Sequence, residues 1–160
     1  MVEMLIYIGI LVVMTIFVVN SLLMMTKSFV DFRANKELNS SALVSFERIT
    51  LEIRNAKSVD DIGSIYNVNP GHLKLNTLDS AGLPTTTEFY VVGGKLVIKE
   101  GVGSEENLVS SNLSVDNLVF RKITFGGTDA IKIESTFNLT RGKVIKTKNF
   151  YSTILLRGSY

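Results

Sequence analysis

An uncharged apolar run near the amino terminus is the feature that most constrains this chain. Residues 4–26 carry no charge and consist mainly of Leu, Ile, Val, Met and Phe, and Glu3 stands directly before them. About twenty such residues span the hydrocarbon core of a bilayer as a helix. The run lacks the basic flank and the small-residue cleavage site of a secretory signal peptide. We therefore predict a retained transmembrane helix over residues 1–26.

The helix is predicted to continue beyond this run with a different character. From Lys27 onward charged residues appear, and apolar residues recur at spacings of three and four, which is typical of an amphipathic helix. This second half is predicted to cover residues 27–57. Its apolar stripe consists of Leu38, Ala42, Leu43, Phe46, Ile49, Ile53 and Ala56.

The middle of this stripe is predicted to be the seam between the helix and the rest of the chain. Phe46, Ile49 and Ile53 are the largest apolar side chains there, and we expect them to be buried against strands. Three charged residues on the other faces are expected to meet water or a neighbouring protein: Glu47, Arg48 and Arg54.

A change in composition marks the start of a strand-rich region. Gly9 is the only glycine in residues 1–62, and both prolines lie beyond them. The stretch "EFYVVGGKLVIKE" places Gly-Gly between two β-rich runs, which is a two-residue hairpin pattern. Strands are also predicted in "GHLKLNTL", in "IKIESTFNL", in a bent or bulged "LSVDNLVFRKITF", and at residues 144–156. Short connections predict an antiparallel sheet over residues 62–158.

These patterns predict an α+β fold in which a long amino-terminal helix packs on an antiparallel sheet. One face of such a sheet can bury the stripe of the amphipathic half. The apolar half has no counterpart in the rest of the sequence. Residues 27–160 are therefore predicted to form the globular domain, and residues 1–26 a separate membrane segment.

Composition argues against most kinds of chemical site. The chain has no cysteine and a single histidine, so zinc-thiolate sites, thiol catalysis and a histidine metal cluster are not expected. No catalytic, cofactor-binding or metal-binding residues are assigned, and His72 is predicted to be a solvated turn residue. The net charge of +2 gives no reason to expect nucleic acid. A basic stretch is interpreted as a solvated strand face: Arg141, Lys143, Lys146 and Lys148.

Glu3 requires an explanation, because a carboxylate beside an apolar run is costly without a partner. One interpretation places it in the headgroup layer, where it caps the helix and is favoured by the helix dipole. The other pairs it with an amino-terminal ammonium, either its own or that of a neighbouring chain. The residues alone leave both interpretations open.

The segment "VEMLIYIGILVV" resembles the amino-terminal segment of type IV pilins and of the pseudopilins of type II secretion and competence systems. In that family a prepilin peptidase cuts before a short stretch, the new terminal residue is usually methylated, and a glutamate precedes about twenty apolar residues. The resemblance is strong over residues 2–25 and weaker beyond. The usual start has about two more residues before the glutamate. A late start of the reading frame, a trimmed chain or absent processing would each explain this, and no methylated residue is assigned.

The resemblance implies a pilin-like fold and a structural function without enzymatic activity or cofactors. The chain would be a subunit, with a minor subunit favoured, of a type IV pilus-like or pseudopilus filament. Glu3 would pair with a neighbour's amino terminus during assembly. The implied partners are other pilin or pseudopilin subunits, inner-membrane assembly machinery, and lipid before assembly. The implied location is the bacterial cytoplasmic membrane, crossed once, and then an extracellular or periplasmic filament.

A second interpretation needs no filament. The chain could be a single-pass membrane protein whose β-rich domain binds a ligand or partner as a monomer. Glu3 distinguishes the two, because a simple anchor does not need it whereas a filament subunit would use it to set its register.

Overall fold

The computed structural model describes residues 2–125, 128–142 and 144–156. It begins with one continuous helix, α1 (Val2–Asn55), which confirms the predicted long helix and ends two residues earlier than expected. The chain forms two compact units, Met1–Lys36 and Glu37–Tyr160. The second unit contains the last five turns of α1 and eight strands, so the class is α+β.

The first of two sheets has five strands in sequential order, and every neighbouring pair is antiparallel. Its strands are β1 (Ser58–Val59), β2 (Leu73–Leu78), β3 (Pro84–Val92), β4 (Lys95–Glu100) and β5 (Glu106–Asn107). The predicted Gly-Gly hairpin is the β3–β4 connection. Gly93 and Gly94 have φ of 56° and 73°, and a two-residue turn of this kind needs positive φ at both positions, which glycine adopts without strain.

The second sheet has three long antiparallel strands, β6 (Leu113–Phe125), β7 (Thr128–Arg141) and β8 (Val144–Leu155). The bulge predicted in β6 is present, since the register shifts between Val115 and Asn117. The prediction of a single sheet was wrong. The outer edge of β6 accepts hydrogen bonds from a loop, Asn67 N to Phe120 O and Gly71 N to Leu118 O, rather than pairing with a strand of the first sheet.

The core of the second unit lies between the amphipathic half of α1 and the inner faces of the sheets. Large side chains with almost no exposure fill it, among them Phe89, Phe120 and Phe137 from the strands and Leu38 from the helix. The predicted stripe is buried at six of its seven positions. Leu43 is the exception with 58% exposure, because it follows Ala42 by one residue and so points about 100° away around the helix.

Candidate functional site

The first half of α1 presents an apolar surface that no described residue covers. Every residue from 2 to 33 is exposed, and the large side chains among them include Leu5 at 70% and Phe17 at 69% exposure. By length and composition this helix can cross a membrane. An exposed apolar surface of this extent marks contact with lipid or with another protein.

Two hydroxyl groups within this apolar half are satisfied by the helix itself. Thr15 Oγ1 donates to the carbonyl oxygen of Leu11 at 2.8 Å, and Thr26 Oγ1 donates to that of Leu22 at 2.9 Å. Such bonds to the preceding turn remove the penalty of a free donor in hydrocarbon. Neither threonine therefore interrupts the apolar surface.

Glu3 lies in the first turn of α1 and is exposed. Its position favours the carboxylate, because the free N–H groups of a first turn carry partial positive charge. Within residues 2–125, 128–142 and 144–156 it makes no hydrogen bond or ion pair. The described part of the chain therefore leaves this carboxylate available to a group from outside.

The three seam residues are buried, and Phe46 packs against the second sheet. Ile49 and Ile53 have no exposed surface, and Phe46 has 9%. The ring of Phe46 lies 6.2 Å from that of Phe137 on β7 and 6.1 Å from that of Phe150 on β8, while the two strand rings meet edge to face at 5.5 Å. Aromatic groups at these separations add directional attraction to the burial of apolar area.

Polar contacts attach the same half of the helix to the first sheet and to the residue that follows its last strand. Ser45 Oγ is fully buried and bonds the carbonyl oxygen of Leu108 at 2.7 Å. Arg48 Nη2 lies 2.6 Å from Glu100 at the end of β4. Sequence reasoning assigned Arg48 to water or a neighbouring protein and did not single out Ser45, because the partners of both residues outside the helix lie more than fifty residues away in the sequence.

A second carboxylate shares this arginine. Glu52 lies one turn after Arg48, at 3.1 Å from Nη2. Burial raises the pKa of the Glu52 carboxyl above its usual value, and the charge of Arg48 acts in the opposite direction. The folded state thus favours the protonated acid, so this group stabilises the fold most below its unfolded pKa and least above its folded pKa.

The basic stretch on the last hairpin is partly engaged with the helix. Arg141 Nη1 lies 3.2 Å from Glu37, and Lys148 Nζ donates to Asn39 at 2.8 Å. Lys146 and Lys148 share one strand face, as predicted from their spacing. Lys143 lies outside the described residues. These contacts give the two engaged side chains a structural role in the second unit.

His72 does not fit the predicted solvated turn. It forms an isolated bridge with Ile65, its ring lies 5.1 Å from that of Tyr90, and its Nε2 lies 3.3 Å from a carboxylate oxygen of Glu88. The turn residues Asn69 to Gly71 precede it, but the alternation of β2 already directs the next side chain, Leu73, into the core. Its position is thus set by the sheet.

The described residues contain no group of three or more His, Cys, Asp or Glu side chains that could hold a metal ion. Comparison with protein-family models, with curated proteins and with solved structures gives no match for this chain. The surfaces of the chain that point to a function are the exposed half of α1 and Glu3.

A shortened chain tests whether the apolar stripe on the second half of α1 is buried within the second unit itself. We expect a chain that begins at Lys27 to be soluble, largely monomeric and to unfold cooperatively, because the stripe from Leu38 to Ala56 is buried within the second unit. The full chain should need detergent or another apolar environment. Sedimentation and urea unfolding measure both properties, and aggregation of the shortened chain would contradict the prediction.

Proposed function

We propose that this protein is a structural subunit of a type IV pilus-like or pseudopilus filament, assembled through the first half of α1. The observation that carries the proposal is the division of one continuous helix into two surfaces. Residues 2–33 are exposed, and residues 4–26 among them are uncharged and mainly apolar, whereas the stripe beyond them is buried at six of its seven positions, and an isolated carboxylate stands in the first turn. The resemblance of "VEMLIYIGILVV" to pilin segments supports the same assignment.

The proposed mechanism is the transfer of one apolar surface between two environments. Before assembly, residues 4–26 lie in the inner membrane. During assembly they leave the lipid and pack against the same residues of neighbouring subunits. Exposing some twenty apolar side chains to water would cost tens of kcal/mol at about 25 cal/mol per Å², so the transfer requires a continuous apolar partner.

Glu3 supplies the register in this proposal. In an apolar filament core an unpaired carboxylate is unfavourable, and pairing it with the amino-terminal ammonium of a neighbour relieves that cost. Subunits offset by a wrong distance leave both charges buried and unpaired. The charge pair therefore selects one axial position for each incoming subunit.

The globular unit would face outward and determine what the filament contacts. Its described residues contain no metal-ligand cluster. We favour a minor subunit, in which this globular unit would determine the specificity of the filament's contacts.

Photocrosslinking tests the proposed helix packing. The chain has no cysteine, so Leu11→Cys provides a single attachment point for a benzophenone probe on a side chain with 66% exposure. With an active assembly machine, illumination should join the probe at position 11 to the apolar helix of another subunit. With the assembly ATPase inactivated, the adduct should disappear.

A probe at Ile62, which is fully exposed in the globular unit, serves as the matched control for chance contact between copies. The adducts of this control probe should not disappear when the assembly ATPase is inactivated. If the Leu11→Cys probe reacts only with lipid under both conditions, the monomeric membrane-anchored domain replaces the filament subunit as the better explanation.

A further inference from the structure

Asn20, in the apolar half of α1, has a side chain without a partner in the described part of the chain. It lies within the uncharged run of residues 4–26 and is exposed, and its amide makes no side-chain hydrogen bond there. Thr15 and Thr26, in contrast, donate their hydroxyls to carbonyl oxygens of the preceding turn. An amide has two donor hydrogens and an acceptor oxygen, and leaving these unbonded in hydrocarbon is costly. Asn20 therefore needs a polar partner that the described chain does not supply.

The depth of Asn20 makes water a poor substitute for this partner. Lys27, the first charged residue after the run, follows it by seven residues, which is about 10 Å along a helix at 1.5 Å per residue. The hydrocarbon core of a bilayer is about 30 Å thick, so Asn20 lies inside it when residues 4–26 span the membrane. A partner at the same depth has to come from another membrane-spanning segment.

Asn20 belongs to a helix face with a regular pattern. Together with Asn20, six residues at alternating spacings of four and three form what we call the heptad face: Val2, Ile6, Gly9, Val13, Ile16 and Leu23. This seven-residue repeat lets two helices pack side by side with a left-handed crossing, in membranes as in soluble coiled coils. The first of its two contact positions holds β-branched Ile6 and Val13 and then Asn20. Such residues at that position, with a single Asn among them, favour two parallel strands.

A glycine on the heptad face has no explanation within the chain. Gly9 is the only glycine in residues 1–62, and glycine in a helix interior is less stable than alanine. A Cβ at this position would lie in open space beside the described residues, so their packing does not require glycine. Gly9 lies about three turns before Asn20 on the same side of the helix. Glycine at a contact position lets two membrane helices approach closely.

We infer that two copies of this chain form a parallel pair in the membrane through the heptad face, before any filament assembles. The two Asn20 side chains meet at the twofold axis, where each amide donates an N–H to the oxygen of the other. An asparagine amide is complementary to itself in this way, as a twofold contact requires. A second copy inserted in the same direction also places its amide at the same depth. A segment of a different protein matches neither the depth nor the direction by symmetry.

The contact ends at Leu23. Lys27 would continue the repeat, but two lysines there repel each other, and their long side chains turn away into the headgroup layer. The inference rests on one part of the proposed function, that residues 4–26 span a membrane, which the membrane-anchored alternative requires equally. Leu11, the attachment point of the photocrosslinking probe, lies on the side of the helix opposite the heptad face. The pair and the filament contact can therefore be measured separately.

Sedimentation equilibrium of the full chain in density-matched detergent micelles measures the pair. We expect a reversible equilibrium between monomer and dimer that shifts with the ratio of protein to detergent. Asn20→Leu should weaken dimerisation at least about fivefold, because it removes both amides from the contact. Asn20→Gln keeps an amide at this position and should dimerise within about threefold of the wild type.

Thr15→Val is the matched control. It also removes a polar group from the apolar run, but the hydroxyl of Thr15 is already bonded to the carbonyl oxygen of Leu11 and lies off the heptad face. Its dimerisation should stay within about twofold of the wild type. Urea unfolding of the globular unit should be the same for all these variants, which verifies that each is folded.

Disulfide formation tests which face is in contact. The chain has no cysteine, so Ile16→Cys and Val18→Cys each introduce a single thiol. Position 16 lies on the heptad face, whereas position 18 lies on the opposite side of the helix. Oxidation in lipid vesicles should link Ile16→Cys chains in pairs and link Val18→Cys chains at least about fivefold less, because a disulfide needs Cα atoms within about 7 Å.

A wild type that stays monomeric at every ratio of protein to detergent would overturn the inference. So would equal dimerisation by Asn20→Leu, or equal disulfide formation by Val18→Cys. Trimers or larger assemblies would overturn the twofold pair. None of these measurements requires an assembly machine, so their failure leaves the proposed function standing, and failure of filament assembly leaves the pair standing.

Discussion

Replacing Phe46 by alanine is expected to lower the free energy of unfolding of the globular unit by about 3–5 kcal/mol. The side chain is 9% exposed and contacts the rings of Phe137 and Phe150, which belong to different strands. Its removal loses the burial of a large apolar surface and leaves a void between helix and sheet that rigid strands cannot fill. Urea denaturation of the chain that begins at Lys27 measures the change.

Leu43→Ala is the matched control for this prediction. Leu43 lies three residues before Phe46 on the same helix, with similar chemistry but 58% exposure. Its replacement should change the free energy of unfolding by less than about 1 kcal/mol. A loss below about 1 kcal/mol for Phe46→Ala as well would show that the helix is not held against the second sheet through this residue.

Removing the charge of Glu3 is expected to have the largest functional effect. Both Glu3→Gln and Glu3→Val should insert into the membrane normally and enter filaments at least about tenfold less than the wild type, because a desolvated ammonium left without its partner costs several kcal/mol. The valine variant makes the segment more apolar, so poor insertion cannot explain its failure. Abundance in sheared filaments relative to membranes gives the ratio.

Lys27→Gln provides the control at the other end of the apolar run. It also removes one charge, at an exposed helix position, but it lies outside the segment in which the charge pair is proposed. Its incorporation should remain close to that of the wild type. Normal incorporation of both Glu3 variants would show that Glu3 does not set the register of the subunits.

The sequence was sufficient for the parts of the fold that depend on local periodicity. The continuous helix followed from an apolar run joined to an amphipathic stripe, and the β3–β4 hairpin followed from Gly93-Gly94, because both signals lie within a few residues. The bulge in β6 was also predictable, since its alternation fails near Asp116.

Features set by distant residues were not predictable. The two-residue strands β1 and β5 are too short to show alternation, and they form only because β2 and β4 offer them an edge. The division into two sheets depends on a loop that bonds the outer edge of β6. A pattern along the chain contains no information about which edge a loop will cover.

Some features of the candidate site were likewise predictable from the sequence, and others were not. Glu3 and the exposed apolar residues could be found from sequence, since a lone carboxylate beside an uncharged run needs no structure to be noticed. The attachment of Arg48 to Glu100 and of Ser45 to Leu108 could not, because these partners are separated by more than fifty residues.

The most direct test of the central claim is export of the intact full-length protein. It would be co-expressed with a pilus or type II secretion assembly machine, alongside a known pilin of that system. The account predicts that some of the protein leaves the membrane with residues 4–26 uncleaved and sediments in an extracellular or periplasmic fibre, since only a filament offers those residues a new apolar partner. Retention of all the protein in the membrane fraction while the known pilin is exported would contradict the account.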